Sequence, residues 1–232
     1  MKLFWSPGTR AVRAVWMLEE ANLDHEKVLV DLSASERSSE LLAVSPMGKV
    51  PALRDGGVRM WESAAICMYL ADRYAPGRLA PARSDPDRGL YLQWMFFCPG
   101  AIEPATAEKE AGRFSVPRVN GWGNFERMIA SWERGLSGNR WILGDRFTAA
   151  DVMLGSSALA MRSEGTLPDS AVLEAYADRC LGREACRRTW AITGELAAHG
   201  APAPCGPVRP GSRKPRRVRR AGPDRFPGRT RP

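Results

Sequence analysis

Long apolar runs are missing from this chain. No stretch of its 232 residues approaches the roughly 18 uninterrupted apolar residues of a membrane helix, and the opening MKLFWSPGTR has no secretory apolar core. The expected setting is therefore the cytoplasm, with no membrane partner. Cysteine is sparse and odd in number: Cys67, Cys98, Cys180, Cys186 and Cys205 form neither a CxxC pair nor a zinc spacing. That excludes a disulfide framework and predicts reduced, mostly buried thiols. Histidine is scarcer still, only His25 and His199, so no metal site is expected.

Acidic residues are lacking at one end only. Residues 201–232 hold ten of the 34 lysines and arginines but a single acid, Asp224, a local balance of +9. Residues 1–200 keep 24 basic and 25 acidic side chains, so the overall +8 is a property of the tail and not of the body. This tail has eight prolines, nine arginines and one aromatic residue, too little apolar surface to offset the entropy of ordering. It is read as disordered and incidental. Nucleic acid is not an expected partner except through this segment, and deleting the segment is expected to leave activity intact.

What remains is a body of about 200 residues with 44% apolar content over the whole chain, enough for a real core. Residues 2–5 read as a strand and SPGT as a turn. In the next segment, a helix, Val12, Val15 and Trp16 share one face, with Arg10, Arg13 and Glu20 expected on the opposite, solvent side. Residues 27–31 (KVLVD) form a second strand, parallel to the first across a βαβ crossover. Ser33 to Val44 suggest a short helix. The runs VPALR and VRMW, joined by DGG, predict an antiparallel hairpin. Glu62 and Ser63 open a helix with Ile66, Tyr69 and Leu70 on its apolar face, ended by Pro76 and Gly77. From residue 84 onward every pattern is helical. Thr148 and Asp151 form a capping box flanked by Phe147 and Val152, a structural feature that fixes one of these helices.

This order, with SPGTR, MGKVPAL and WES in the first half and FTAADV in the second, resembles the cytosolic glutathione transferase family over roughly residues 3–195. The resemblance implies an α/β domain of thioredoxin-like fold at 1–77, an all-α domain at 84–197 and the disordered tail at 201–232. It also implies a homodimer that serves detoxification by joining glutathione, as co-substrate, to a small hydrophobic electrophile. In such a fold the Val50–Pro51 peptide is cis and presents the Val50 backbone to the cysteinyl part of glutathione. Glu62 and Ser63 sit at a helix start, where free amides and the helix dipole favour the γ-glutamyl carboxylate. Ser63 is read as the N-cap, and Lys49 is placed to reach the glycyl carboxylate.

A thiol like that of glutathione has a pKa near 8.5, so little is thiolate at neutral pH and a hydroxyl donor is needed beside the sulfur. Thr9 lies where many relatives carry serine and is the expected catalytic residue, with Ser6 as the fallback. Trp5 stands where a tyrosine would serve, and Arg10 stands where one bacterial branch has cysteine, so disulfide chemistry there is excluded. Pro99 and Pro104 are expected to bend or break their helix and open the second-substrate pocket, with Trp94, Phe97 and Cys98 as its lining. The alternative function is a binding or regulatory protein that has kept the scaffold and lost the chemistry.

Overall fold

The computed structural model describes residues 1–113 and 116–198. The Pro/Arg-rich segment 201–232, Cys205 and His199 lie outside the described residues. Four short strands form one sheet in the order β2-β1-β3-β4: β1 (Lys2–Trp5), β2 (Glu26–Leu29), β3 (Ala52–Asp55) and β4 (Val58–Trp61). β1 runs parallel to β2 and antiparallel to β3, so Leu3 faces Lys27 on one side and Leu53 on the other. The hairpin β3–β4 is antiparallel and turns at Gly56 and Gly57, the first at φ +56°, where a side chain would be strained. The α/β half is thus the thioredoxin-like arrangement, and the second half is helical.

Helix α1 (Ala11–Ala21) comes after β1, and the 4-residue α2 (Ser39–Leu42) precedes the hairpin. The helix expected over 33–44 shrinks to α2 because Arg37 donates to the carbonyls of Asp31, Leu32, Ala34 and Gly48, which pins the chain before it as a loop. α3 (Ser63–Tyr74) closes the α/β half. Then come α4 (Arg88–Phe97), α5 (Glu103–Glu110), α6 (Phe125–Leu136), α7 (Ala149–Ser163), α8 (Ala171–Leu181) and α9 (Glu184–Ala198).

Of the bend or break expected at Pro99 and Pro104, the break is absent. α4 passes through a π-helical turn, Cys98–Ile102, straight into α5; each proline lacks the N–H that would bond back to the preceding turn, and the helix continues across them with the wider turn between.

α1 is the helix around which the fold is built. It packs on β1 and α3 and also on α7 and α9 of the helical half, so it is covered on nearly every side. That overturns the expectation that Arg13 and Glu20 face solvent: they are 5% and 9% exposed. Glu20 accepts from Trp16 Nε1 at 2.9 Å and from two nitrogens of Arg183 at 2.6 and 2.7 Å, a bidentate pair that ties α1 to the α8–α9 turn. α7 begins as expected, with Thr148 and Asp151 in a reciprocal capping box. No helix among the described residues is long and apolar enough to cross a membrane.

Candidate active site

Arg13 organises the region where the two halves meet. A guanidinium has five N–H donors and no acceptor, so a buried arginine must find oxygen for most of them. Arg13 does so in four directions. Nε donates to Ser156 Oγ at 2.9 Å and Nη2 to Ser157 Oγ at 3.0 Å, both on α7, while Nη1 reaches Ser63 Oγ at 3.2 Å and Glu103 Oε1 at 2.6 Å. The other oxygen of Glu103 lies 2.6 Å from Nε of Arg10. One carboxylate from the helical half thus bridges two arginines at the start of α1.

Ser63 Oγ accepts from Arg13 and makes no other hydrogen bond among the described residues, so its own proton is free for a ligand. It sits in a cavity of about 280 Å³. One wall is Arg10 with Glu62, Ser63, Ala64, Ala65 and Met68; the other is Met95, Phe96, Pro99 and Glu103. A hydroxyl donor and a guanidinium set among apolar side chains fit a ligand with an anionic group and a hydrophobic body. Ser63 is the first residue of α3, not its N-cap. Glu62 takes the N-cap position at φ +73° without a capping side-chain bond, because Ser63 is drawn inward by Arg13.

The remaining sequence candidates lie around this cavity or away from it. The Val50–Pro51 peptide is cis. Val50 is half-buried, and its backbone N–H and C=O form no hydrogen bond among the described residues. Lys49 is exposed, and its N–H donates to Ser45 Oγ at 3.2 Å. Thr9 Oγ1 donates to the Ser6 carbonyl at 2.7 Å and accepts from the Ala11 N–H at 3.2 Å. Ser6 is buried, and its hydroxyl makes no hydrogen bond among the described residues. Of these candidates only Glu62 and Ser63 line the cavity; Ser6, Thr9, Lys49, Val50 and Pro51 do not.

Trp94, Phe97 and Cys98, expected to line the second pocket, are also absent from its walls. Trp94 stacks edge-on against Phe97 and fills the space over Gly135, and the Cys98 thiol is buried beside Ser157 Oγ at 3.2 Å. The helix continues through Pro99, so it turns Met95, Phe96 and Pro99 to the cleft instead. Burial pushes the Cys98 thiol up despite the nearby Arg13, and pushes Cys67 up to about 12, so neither acts as a nucleophile. Among the described residues no group of three or more His, Cys, Asp or Glu is placed to hold a metal ion.

Residues 1–72 match the glutathione S-transferase N-terminal domain family and residues 90–166 the C-terminal domain family. Glutathione S-transferase hmp2 of Hypomyces subiculosus is 30% identical over 179 residues, which span 71% of this chain and 84% of that one. The chain belongs to the glutathione S-transferase family. Among solved structures, this transferase is similar to the ternary complex of BphK, a bacterial GST, at 29% identity and a TM-score of 0.69, covering 84% of this chain and all of the other. It is likewise similar to a sphingomonad glutathione S-transferase complexed with glutathione, at 29% identity and a TM-score of 0.65, over 84% of this chain and 99% of that one. Relatives of this chain bind glutathione, and it is a transferase enzyme.

In this transferase, sequence reasoning missed Arg13 and Glu103 as members of the site. The signal was partly present for the first: Arg13 lies inside AVRAVWML with Trp16 and Met17 one turn ahead of it, although Thr9 and Arg10 lie one turn behind. Glu103 carries no such signal, since only tertiary packing brings α5 to α1.

Proposed function

We infer that the transferase joins the thiol of glutathione to small apolar electrophiles, with residues 1–77 holding glutathione and residues 84–197 supplying the second pocket. The observation that carries this reading is Ser63: a buried hydroxyl, backed by the Arg13 cation and left with a free proton, on a cleft whose walls also carry Arg10, Glu62 and Glu103 beside apolar Met68, Met95, Phe96 and Pro99. A carboxylate accepting that proton gains a charge-assisted hydrogen bond. Glu62 beside it holds the ligand's ammonium, Val50 pairs with the cysteinyl backbone across the cis Val50–Pro51 step, and Lys49 meets the glycyl carboxylate.

For the sulfur, the geometry favours Ser6 over Thr9. The Thr9 proton is committed to the Ser6 carbonyl, and that bond shapes the loop, whereas the Ser6 hydroxyl is uncommitted. Ser6 donates to the thiolate and Thr9 holds Ser6 in place. Family membership is what supports the wider setting: a homodimer in the cytoplasm with a role in detoxification.

The test is turnover of chlorodinitrobenzene by Ser6→Ala and Thr9→Val chains. Loss of the donor to a developing anion costs about 10²-fold in kcat, and the pH midpoint should move up toward 8.5, about the value of a free thiol. The expected outcome is that loss for Ser6→Ala and a smaller one for Thr9→Val. The opposite ranking restores Thr9 as the donor. Wild-type rates in both variants, or no glutathione uptake by calorimetry, refute the reading.

A further inference from the structure

Helices α1 and α9 lie side by side and run in opposite directions. Arg183, one residue before α9, pairs with Glu20 and Arg188 pairs with Glu19, whereas Trp190, further along α9, stands edge-on to Trp16 at 6.0 Å. α9 therefore advances toward the N-terminus of α1. At about 1.5 Å per residue, the eight residues from Trp190 to Ala198 cover about 12 Å and the six from Trp16 back to Arg10 cover about 9 Å, so the end of α9 draws level with the start of α1. There Arg10 lines the cleft wall with its side chain 61% exposed. The chain beyond Ala198 thus departs from the rim of the cleft.

What departs there is strongly charged. Residues 201–232 carry ten basic side chains against the single acid Asp224, and six of the ten fall within residues 213–220. Arg209, the first of them, is eleven residues past Ala198, at most about 40 Å away along a fully extended chain, while the Debye length is about 30 Å at about 10 mM salt. Residues 1–200, with 24 basic and 25 acidic side chains, are almost neutral, so this segment sets the sign of the field at the rim.

Glutathione at neutral pH has two carboxylates against one ammonium, a net charge of about −1, or about −2 as the thiolate. We propose that the basic segment 201–232 gathers glutathione electrostatically at the rim of the cleft, lowering KM for this substrate and leaving the chemical step alone. No fixed contact is needed. A potential of about one kT concentrates a single negative charge about 3-fold, and the gain vanishes as salt shortens the Debye length to about 3 Å at about 1 M. Loss of the segment's charge therefore leaves turnover intact at saturating glutathione. The near-neutral body adds no net positive charge for a polyanion, and attachment of the segment beside the cleft favours the small anion.

This proposal rests on the cleft holding glutathione. The experiment compares the full chain with a full-length variant carrying R213Q, K214Q, R216Q, R217Q, R219Q and R220Q together, folding being checked by circular dichroism. KM for glutathione and for chlorodinitrobenzene is measured at about 10 mM and about 1 M salt. The expected result is a rise of about 3-fold in KM for glutathione in the variant at low salt, equal values at high salt, and an unmoved kcat. KM for chlorodinitrobenzene, which is uncharged, should not change. Equal KM values for glutathione at low salt overturn the proposal. So does a rise that persists at high salt or appears equally for chlorodinitrobenzene, which would make the segment a packing element. Capture of duplex DNA by the full chain and not by the variant, with KM equal in both, overturns it in favour of a polyanion partner. Each of these results leaves glutathione binding standing, whereas a full chain that takes up no glutathione by calorimetry overturns the reading beneath as well.

Discussion

Replacing Asp151 by asparagine probes the buried polar centre on which the helical half is built. Its side chain is fully buried. Oδ1 accepts from the Ile142 N–H at 2.9 Å and the Tyr176 hydroxyl at 3.0 Å, and Oδ2 from the Thr148 N–H at 2.9 Å. Asparagine keeps one acceptor and turns the other into an NH₂, so whichever way the amide faces, a buried donor meets a donor. A donor stranded in this way costs about 1–3 kcal/mol, a large part of the roughly 5–15 kcal/mol that holds a domain together.

The pH dependence sharpens that test. Burial outweighs the hydrogen bonds and raises the Asp151 carboxyl from its ordinary value of 3.8 to about 6. The folded-state value is the higher one, so the folded chain holds the proton more tightly than the unfolded chain. That stability is fully present below the unfolded value of 3.8 and is lost as the pH rises through about 6. Roughly two units at about 1.4 kcal/mol each amount to about 3 kcal/mol over the whole window, of which about 1 kcal/mol has returned on going from about pH 7.5 to about pH 5. Urea unfolding of both chains at these two pH values is the assay. The wild type should exceed Asp151→Asn by about 1–3 kcal/mol at the higher pH and by about 1 kcal/mol more at the lower one. A gap that does not change with pH would refute the proton linkage, and no gap at the higher pH would refute the hydrogen-bond argument.

Arg13→Met should cost about 3–5 kcal/mol by stripping Glu103 and three serines of their shared donor, a fall in Tm of about 10 °C, and should weaken glutathione binding in calorimetry. A Tm within about 2 °C of wild type would contradict the central place given to this arginine. Gly155→Ala on α7 puts a Cβ 2.5 Å from Cys180 Sγ and 3.1 Å from Trp16. The overpacking, about 1–3 kcal/mol, should outweigh a helix-propensity gain of about 1 kcal/mol, so urea unfolding should show net destabilisation, and a stabilised variant would show that the packing yields.

The strands and their succession along the chain were legible because they rest on local signals. Period-two runs, the DGG turn and the amphipathic spacing after WES each reflect constraints a few residues long. The capping box was legible for the same reason, since both partners lie within one helical turn. The site was readable only in part. Glu62 and Ser63 line the cleft, but Trp94, Phe97 and Cys98 do not, because a spacing argument cannot tell which face of α4 a π-helical turn presents to the cleft.

The amino-acid sequence alone determined the α/β-then-helical order and the loop of hydroxyls before α1, which short-range propensity and pattern encode, and its motifs carried the resemblance to the family. Only the tertiary structure decided what α1 faces. A helix covered by a sheet on one side and by helices on the other buries its polar residues too, and Arg13 is then compelled to find oxygens at Ser63, Glu103, Ser156 and Ser157. Those partners lie 50 to 144 residues away in the chain, a separation across which no local pattern carries information.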